Sequence, residues 1–158
     1  MAKSVLIVNP QARGGFAQKK WPVLEPMLRD ALGVIDVQFT KRAGDGTPMA
    51  KAAVEAGADL VVAMGGDGTA SEVASGMLAA FSGSARSEPS CAFGYLPCAT
   101  GGDLRRILHT PSELADAAAA IAKAKPRPID AGRIDYIGHD GKPCSGYFIN
   151  VASCGISG

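Results

Sequence analysis

Gly65-Gly66-Asp67-Gly68-Thr69 follows the apolar run Leu60-Val61-Val62-Ala63-Met64 and precedes a segment with Val73, Met77, Leu78 and Phe81 on one helical stripe. Strand, glycine turn, helix is an order that suits an anion. Residues without side chains let the backbone approach a phosphate, and the free N–H groups opening the helix point at it with the positive end of the dipole behind them. The matching guest is a diphosphate or triphosphate. A glycine turn can also join a strand to a helix with no ligand, and Thr69-Ala70-Ser71-Glu72 has the spacing of a capping box that needs only its own backbone. Asp67 shifts that balance. A carboxylate among phosphate-facing N–H groups repels the ligand unless a divalent cation lies between them or a sugar hydroxyl donates to it, and both arrangements suit a nucleotide. The alternative is a turn aspartate satisfying nearby N–H groups.

A second glycine turn, Thr100-Gly101-Gly102-Asp103, follows a strand expected over 92–96 and closed by Pro97. Asp103 either caps the short helical piece expected over 104–109 or acts directly with magnesium or substrate. Arg105 and Arg106 are placed to reach a transferred phosphoryl group or to form a solvated face. His109 and His139 have no partner at metal or triad spacing and read as surface residues. The dinucleotide fingerprint fails, because Ser71 stands where its third glycine belongs, and no Walker loop is present: the one Gly-Lys pair, Gly141-Lys142, is followed by Pro143.

The elements that must position these turns follow from apolar spacing. Val5 to Val8 reads as a buried strand stopped by Asn9-Pro10. A helix is expected over 21–32, kinked or shortened by Pro26, with Trp21, Leu24, Met27 and Leu28 packed in the core. Val34 to Thr40 alternates as a short strand, and Thr47-Pro48 opens a helix that ends before Gly57. Thr110-Pro111-Ser112-Glu113 has the form of a capping box opening an alanine-rich helix that Pro126 ends. Strands over 129–137 and 146–152 are joined through Asp140-Gly141. Strands alternating with helices, with apolar runs instead of in-out alternation, predict an α/β fold: a parallel sheet with helices on both faces and a terminal β-hairpin.

The 158 residues fit one domain. A net charge of +1 provides no global field for nucleic acid, so none is expected as a partner, and an anionic ligand must be held locally. Four cysteines, at 91, 98, 144 and 154, form neither a disulfide framework nor a metal-type pair, and buried reduced thiols in a cytoplasmic protein are expected. No run reaches the roughly 20 apolar residues of a membrane span, so any membrane contact is peripheral. Homo-oligomerisation is left open.

Asn9-Pro10-Gln11-Ala12-Arg13-Gly14-Gly15 after the first strand, Thr40 after the second, Gly65 to Thr69 with Glu72-Val73 after the third, and Leu96-Pro97-Cys98-Ala99-Thr100-Gly101-Gly102-Asp103 after the fourth resemble the catalytic domain of the diacylglycerol kinase family. Ile129-Asp130 and Tyr147 to Asn150 are similar to its later segments. The resemblance covers almost the whole chain. It implies an amino-terminal domain of the phosphofructokinase and NAD-kinase type, with an ATP site formed by Asn9, Pro10, Gln11, Ala12, Arg13, Thr40, Gly65, Gly66, Asp67, Gly68, Thr69, Glu72 and Thr100. It also implies ATP and Mg2+ as cofactors, a diacylglycerol-like lipid at a membrane surface as acceptor, and catalytic roles for Asp67 and Asp103. No metal ligand set is assigned within the chain. The general base is expected in an all-β domain that follows in this family and begins where the sequence ends, so the 158 residues are expected to be inactive alone. Two positions depart from the family's G-T-G-N-D pattern: Ala99 replaces its first glycine and Gly102 its asparagine. An NAD-kinase-like phosphotransferase shares the G-G-D-G-T turn, but the Asn9-Pro10 loop and the second glycine turn favour the lipid kinases. A non-catalytic nucleotide-binding module is the third reading.

Overall fold

The computed structural model describes residues 3–82, 90–99, 102–138 and 140–149. Four strands, β1 (Ser4–Val8), β2 (Ile35–Phe39), β3 (Leu60–Gly65) and β4 (Ala92–Pro97), form a parallel sheet in the order β2-β1-β3-β4. Between and after them run helices α1 (Ala12–Leu32), α2 (Gly46–Glu55), α3 (Asp67–Ser82), α4 (Asp103–Ile107) and α5 (Leu114–Lys123). Strands β5 (Gly132–Ile137) and β6 (Pro143–Phe148) pair as a separate antiparallel hairpin. It is tied to α3 by the Ser75 hydroxyl, which donates to the Tyr147 carbonyl at 2.8 Å.

The continuous apolar runs are explained by the two covered faces. Successive side chains on a strand point to opposite sides. Val5, Ile7, Val61 and Ala63 therefore join the core beneath α2, α3 and α4, whereas Leu6, Val8, Val62 and Met64 join the core beneath α1 and α5. Fully burying a side chain such as Leu6 or Met64 contributes roughly 1.5–3 kcal/mol, so β1 and β3 each stabilise two layers at once.

Register decides where the site lies. Val8 is level with Phe39 on one side and Met64 on the other, and Gly65 is level with Pro97. Asn9, Thr40, Gly66 and Cys98 consequently leave the sheet along one rim, at its carboxyl edge. The chain passes from β1 outward to β2 and then back across β1 to β3, so this rim lies at a switch point, where open α/β sheets collect ligands.

Several expectations need correction. α1 starts at Ala12 and runs through both Pro22 and Pro26. Both prolines are exposed, so water can satisfy the carbonyls that lose their helical partners. The interruption lies earlier, where Arg13, Gly14 and Gly15 take left-handed φ values of 52°, 66° and 79° before the regular helix begins. Glycine tolerates this conformation; for Arg13 it costs about 1 kcal/mol. Trp21 is only partly buried, with its ring edge-on to Phe39 at 4.9 Å.

None of the three sequence caps forms. Asp45, not Thr47, occupies the cap of α2, and the Thr47 hydroxyl donates to the Glu72 carbonyl at 3.0 Å. Thr69 lies inside α3, where its hydroxyl accepts from Asn9. α5 opens at Leu114 because Thr110 is tied to α4, its N–H donating to the Arg105 carbonyl at 2.9 Å. The second hairpin strand begins at Pro143 instead of Gly146; residues 150–152 of that expectation, like His139 and Cys154, lie outside the described residues.

Cys91 and Cys98 are buried as expected, but Cys144 is half-exposed on the hairpin. Burial pushes the Cys91 thiol up to about 11 and also raises Cys98. A raised thiol pKa gives a stability term that is complete below the ordinary value of 9.0 and is lost as pH climbs towards about 11. Thermal melts should therefore hold level from pH 7 to about 8.5 and fall above pH 9, with a smaller fall in Cys91→Ala. At pH 8, peptide mapping after brief iodoacetamide treatment should find Cys144 modified well before Cys91 or Cys98; equal labelling would contradict the buried placement.

Candidate functional site

The rim opens into a cleft of about 410 Å3. Four loops build it, the last contributing Cys98 and Ala99 after β4. Asn9 closes the first: its N–H donates to the Met64 carbonyl at 2.9 Å, and its side-chain amide donates to the Thr69 hydroxyl at 3.2 Å. Its side-chain oxygen accepts from the Gln11 N–H at 3.0 Å, turning the chain into α1. One side chain thus joins the end of β1 to the start of α3. Thr40, buried, continues the ladder by donating its N–H to the Val8 carbonyl at 2.9 Å.

The second loop is held by two carboxylates. Asp45 accepts from the N–H groups of Lys41 at 2.9 Å and Arg42 at 3.0 Å, and these backbone bonds hold its pKa below the usual carboxylate range. Glu72 reaches across from α3 and accepts from Gly44 N–H at 2.9 Å with one oxygen and from Gly46 N–H at 3.0 Å with the other. An anionic side chain at the first turn of α2 is also favoured by the helix dipole. The loop so fixed carries Lys41 and Arg42 into the lining of the cleft, with Arg42 Nε donating to Asp45 Oδ1 at 3.2 Å; Arg13 lines it too, its guanidinium 5.2 Å from the Phe16 ring centre.

The third loop is the glycine turn itself. Gly66, Gly68 and Thr69 line the cleft together with Asn9, Gln11, Ala12, Arg13, Thr40 and Glu72. Of the remaining residues singled out in the sequence, Pro10 accepts from the Gln18 N–H and Gly65 ends β3, accepting from the Cys98 N–H at 2.7 Å. Neither lines the cleft. Thr100 lies outside the described residues. Sequence reasoning missed Lys41, Arg42, Ala43, Cys98 and Ala99 as lining residues. The signal was available, since each lies in a loop that leaves the carboxyl end of β2 or β4.

Asp67 is also absent from the lining. Its carboxylate turns toward β4 and α4, where Oδ1 accepts from the Tyr95 hydroxyl at 3.2 Å and Oδ2 from the Asp103 N–H at 3.1 Å. Asp103 does not cap α4 with its side chain; it is the first residue of that helix and pairs with Arg106. Arg105 donates to the Thr110 carbonyl at 3.4 Å, so neither arginine extends into the cleft. The glycine turn therefore separates a cationic cleft from an acidic corner containing Asp67 and Asp103. Polyphosphate fits the first, with its backbone N–H groups and Arg13, Lys41 and Arg42. The second offers the carboxylates of Asp67 and Asp103, and among the described residues no three metal-ligating side chains converge.

Residues 3–134 match the family model for the diacylglycerol kinase catalytic domain. This chain belongs to that family. It is 34% identical over 138 residues to a "Probable lipid kinase YegS-like" of Chromohalobacter salexigens, covering 83% of this chain and 40% of that protein. It is 30% identical over 156 residues to a diacylglycerol kinase of Bacillus subtilis, covering 98% of this chain and 46% of that one. Among solved structures, a diacylglycerol kinase from Bacillus anthracis superposes with a TM-score of 0.68 at 30% identity, over 83% of this chain and 46% of the other. The chain thus spans less than half the length of these relatives. The solved relative carries the same α/β architecture. Among the described residues, no helix is long and apolar enough to cross a membrane.

Proposed function

We propose that this chain is the nucleotide-binding part of an ATP-dependent lipid kinase, with the polyphosphate of ATP in the rim cleft and the acidic corner facing the lipid hydroxyl. The observation that carries the reading is the convergence of the glycine turn with Arg13, Lys41 and Arg42 on one cleft. Family membership supports the reaction class, and the names of the similar proteins support a diacylglycerol-like acceptor.

In such a transfer the acceptor hydroxyl oxygen forms a bond to the γ-phosphorus, the bond to the β–γ bridging oxygen breaks, and ADP leaves with that electron pair while the hydroxyl proton passes to a base. This chain would supply position and charge. Gly66 and Gly68 let the backbone close on the phosphates, and the cleft cations offset charge on the transferred group. Asp67 would help hold Mg2+, which would supply charge neutralisation for the phosphates. The 158 residues are proposed to bind nucleotide without phosphorylating diacylglycerol on their own, and turnover of diacylglycerol by this chain would overturn that part of the reading.

Thermal shift and titration calorimetry test the assignment. MgATP at about 100 times its Kd should stabilise the fold by ~2.7 kcal/mol, with no comparable effect from NAD. A shift with NAD and none with ATP would reverse the reading in favour of an NAD-kinase-like site. Asp67→Ala should weaken MgATP binding about tenfold, the worth of one charge-assisted contact. The ligand-free melting point should move little, because the Tyr95 hydroxyl retains the Gly65 carbonyl, 3.3 Å away, as acceptor. An unchanged Kd would assign Asp67 to turn structure alone.

A further inference from the structure

Tyr95 is the one phenol set into the sheet, 3% exposed on β4 among Ala63, Ala70 and Leu104. A tyrosine in a buried apolar strand position is costly unless its hydroxyl finds a partner. Here the hydroxyl reaches the glycine turn and meets two acceptors, the Gly65 carbonyl at 3.3 Å and Asp67 Oδ1 at 3.2 Å. It has one proton to divide between them. Gly65 already accepts from the Cys98 N–H at 2.7 Å, so its carbonyl is satisfied without the phenol. The carboxylate is the acceptor that gains most.

We infer that Tyr95 is a positioning residue for Asp67, holding the carboxylate on the β4–α4 side of the glycine turn with lone pairs left for a cation shared with the phosphates across that turn; this rests on the MgATP reading given above. The Tyr95 hydroxyl takes one lone pair of Oδ1 and the Asp103 N–H takes one of Oδ2. A carboxylate has about four lone-pair sites, so these donors lock its rotamer and leave one site open on each oxygen. The donors come from β4 and from the first turn of α4, two elements the Asp67 side chain would otherwise be free to swing past. Burial and the neighbouring Asp67 charge both push the phenol's pKa up, so it remains a donor at any working pH. Neither the glycine turn nor the cleft needs a hydroxyl at this strand position; a phenylalanine would fill the same volume.

The test is a double-mutant cycle read by calorimetry with ATP in EDTA and with MgATP. Tyr95→Phe should leave metal-free ATP affinity within twofold and weaken MgATP about fivefold, the scale of one lost hydrogen bond. Asp67→Asn should cost more, and Tyr95→Phe combined with Asp67→Asn should cost no more than Asp67→Asn alone, since Tyr95 acts through Asp67. A purely structural Tyr95 would instead lower both affinities together, or add its loss to that of Asp67→Asn; either result overturns the inference, as does an unchanged Tyr95→Phe. In the wild type, the buried Tyr95 hydroxyl proton should shift in NMR when Mg2+ is added to the ATP complex. This measurement needs no variant to fold, and a silent proton counts against the role. A wild-type chain that binds neither form of ATP overturns the nucleotide reading itself and this inference with it, a result distinct from a wild type that binds while Tyr95→Phe matches it.

Discussion

Gly76→Ala is expected to destabilise the protein by ~2 kcal/mol and Gly76→Val by ~3 kcal/mol or more, the reverse of what helix propensity predicts. On an exposed helix the change from glycine to alanine is favourable by about 1 kcal/mol. Gly76 is buried in the middle of α3, and a Cβ built there would lie 2.1 Å from the Thr47 carbonyl oxygen and 3.0 Å from the Ala50 Cβ. The obstacle is backbone, so no rotamer change relieves it. α2 cannot simply retreat, because the Thr47 hydroxyl donates to the Glu72 carbonyl and Gly46 N–H donates to the Glu72 carboxylate. The two helices would have to part by roughly an ångström, loosening the packing of Ala50 and Ala53 against Val73 and Met77. Since a domain of this size loses about 2–4 °C per kcal/mol, Gly76→Val should melt about 10 °C lower. Denaturant unfolding read beside the melts checks this, and a rise in stability for Gly76→Ala would show that α2 and α3 are not in contact as described.

The same contact explains much of what was legible beforehand and what was not. β1, β3 and β4 could be read because each is a short apolar run closed by proline or glycine, and a sheet covered on both faces leaves that pattern few alternatives; β2, with only Ile35 buried, was legible from its alternation. From strand order and the carboxyl-edge rule, Asn9, Thr40 and Gly66 could be placed on one rim without coordinates. Capping was misread for a common reason. Thr47, Thr69 and Glu72 each have a local partner at capping distance in the sequence, and each takes a tertiary partner instead: Thr47 and Glu72 because α2 and α3 approach closely at Gly76, and Thr69 because Asn9 reaches it from the end of β1.

The direction of Asp67 was equally hidden. The sequence places it between two phosphate-type glycines, but which way the side chain points depends on Tyr95 and on the Asp103 N–H, residues 28 and 36 positions away. Pairing at that range leaves no periodic trace. Lys41 and Arg42, by contrast, were within reach of the argument already applied to Thr40, one and two positions earlier in the same loop. The cleft thus owes its position to local sequence and its charge and orientation to contacts across elements.

Glu72→Ala is expected to lower ATP affinity about thirtyfold and stability by ~2 kcal/mol together, the second figure discounted because the carboxylate is only half-buried. Both its oxygens are occupied by backbone N–H groups, so its leverage on the nucleotide lies in the loop it holds. Without it, Gly44 and Gly46 lose charged acceptors and the Lys41-Arg42 segment keeps only Asp45 as its brace. Lys41 and Arg42 then lose a fixed place in the cleft, and ordering them on binding costs affinity. Glu72→Gln makes the argument sharper. Its amide offers one acceptor oxygen and turns an NH2 donor toward the other N–H, so it should recover less than half of the stability despite its identical size. Amide hydrogen exchange reads the mechanism directly, with faster exchange at Gly44 and Gly46 in both variants. If affinity falls while those amides stay protected and the melting point is unchanged, Glu72 contacts the nucleotide itself and the loop has another support.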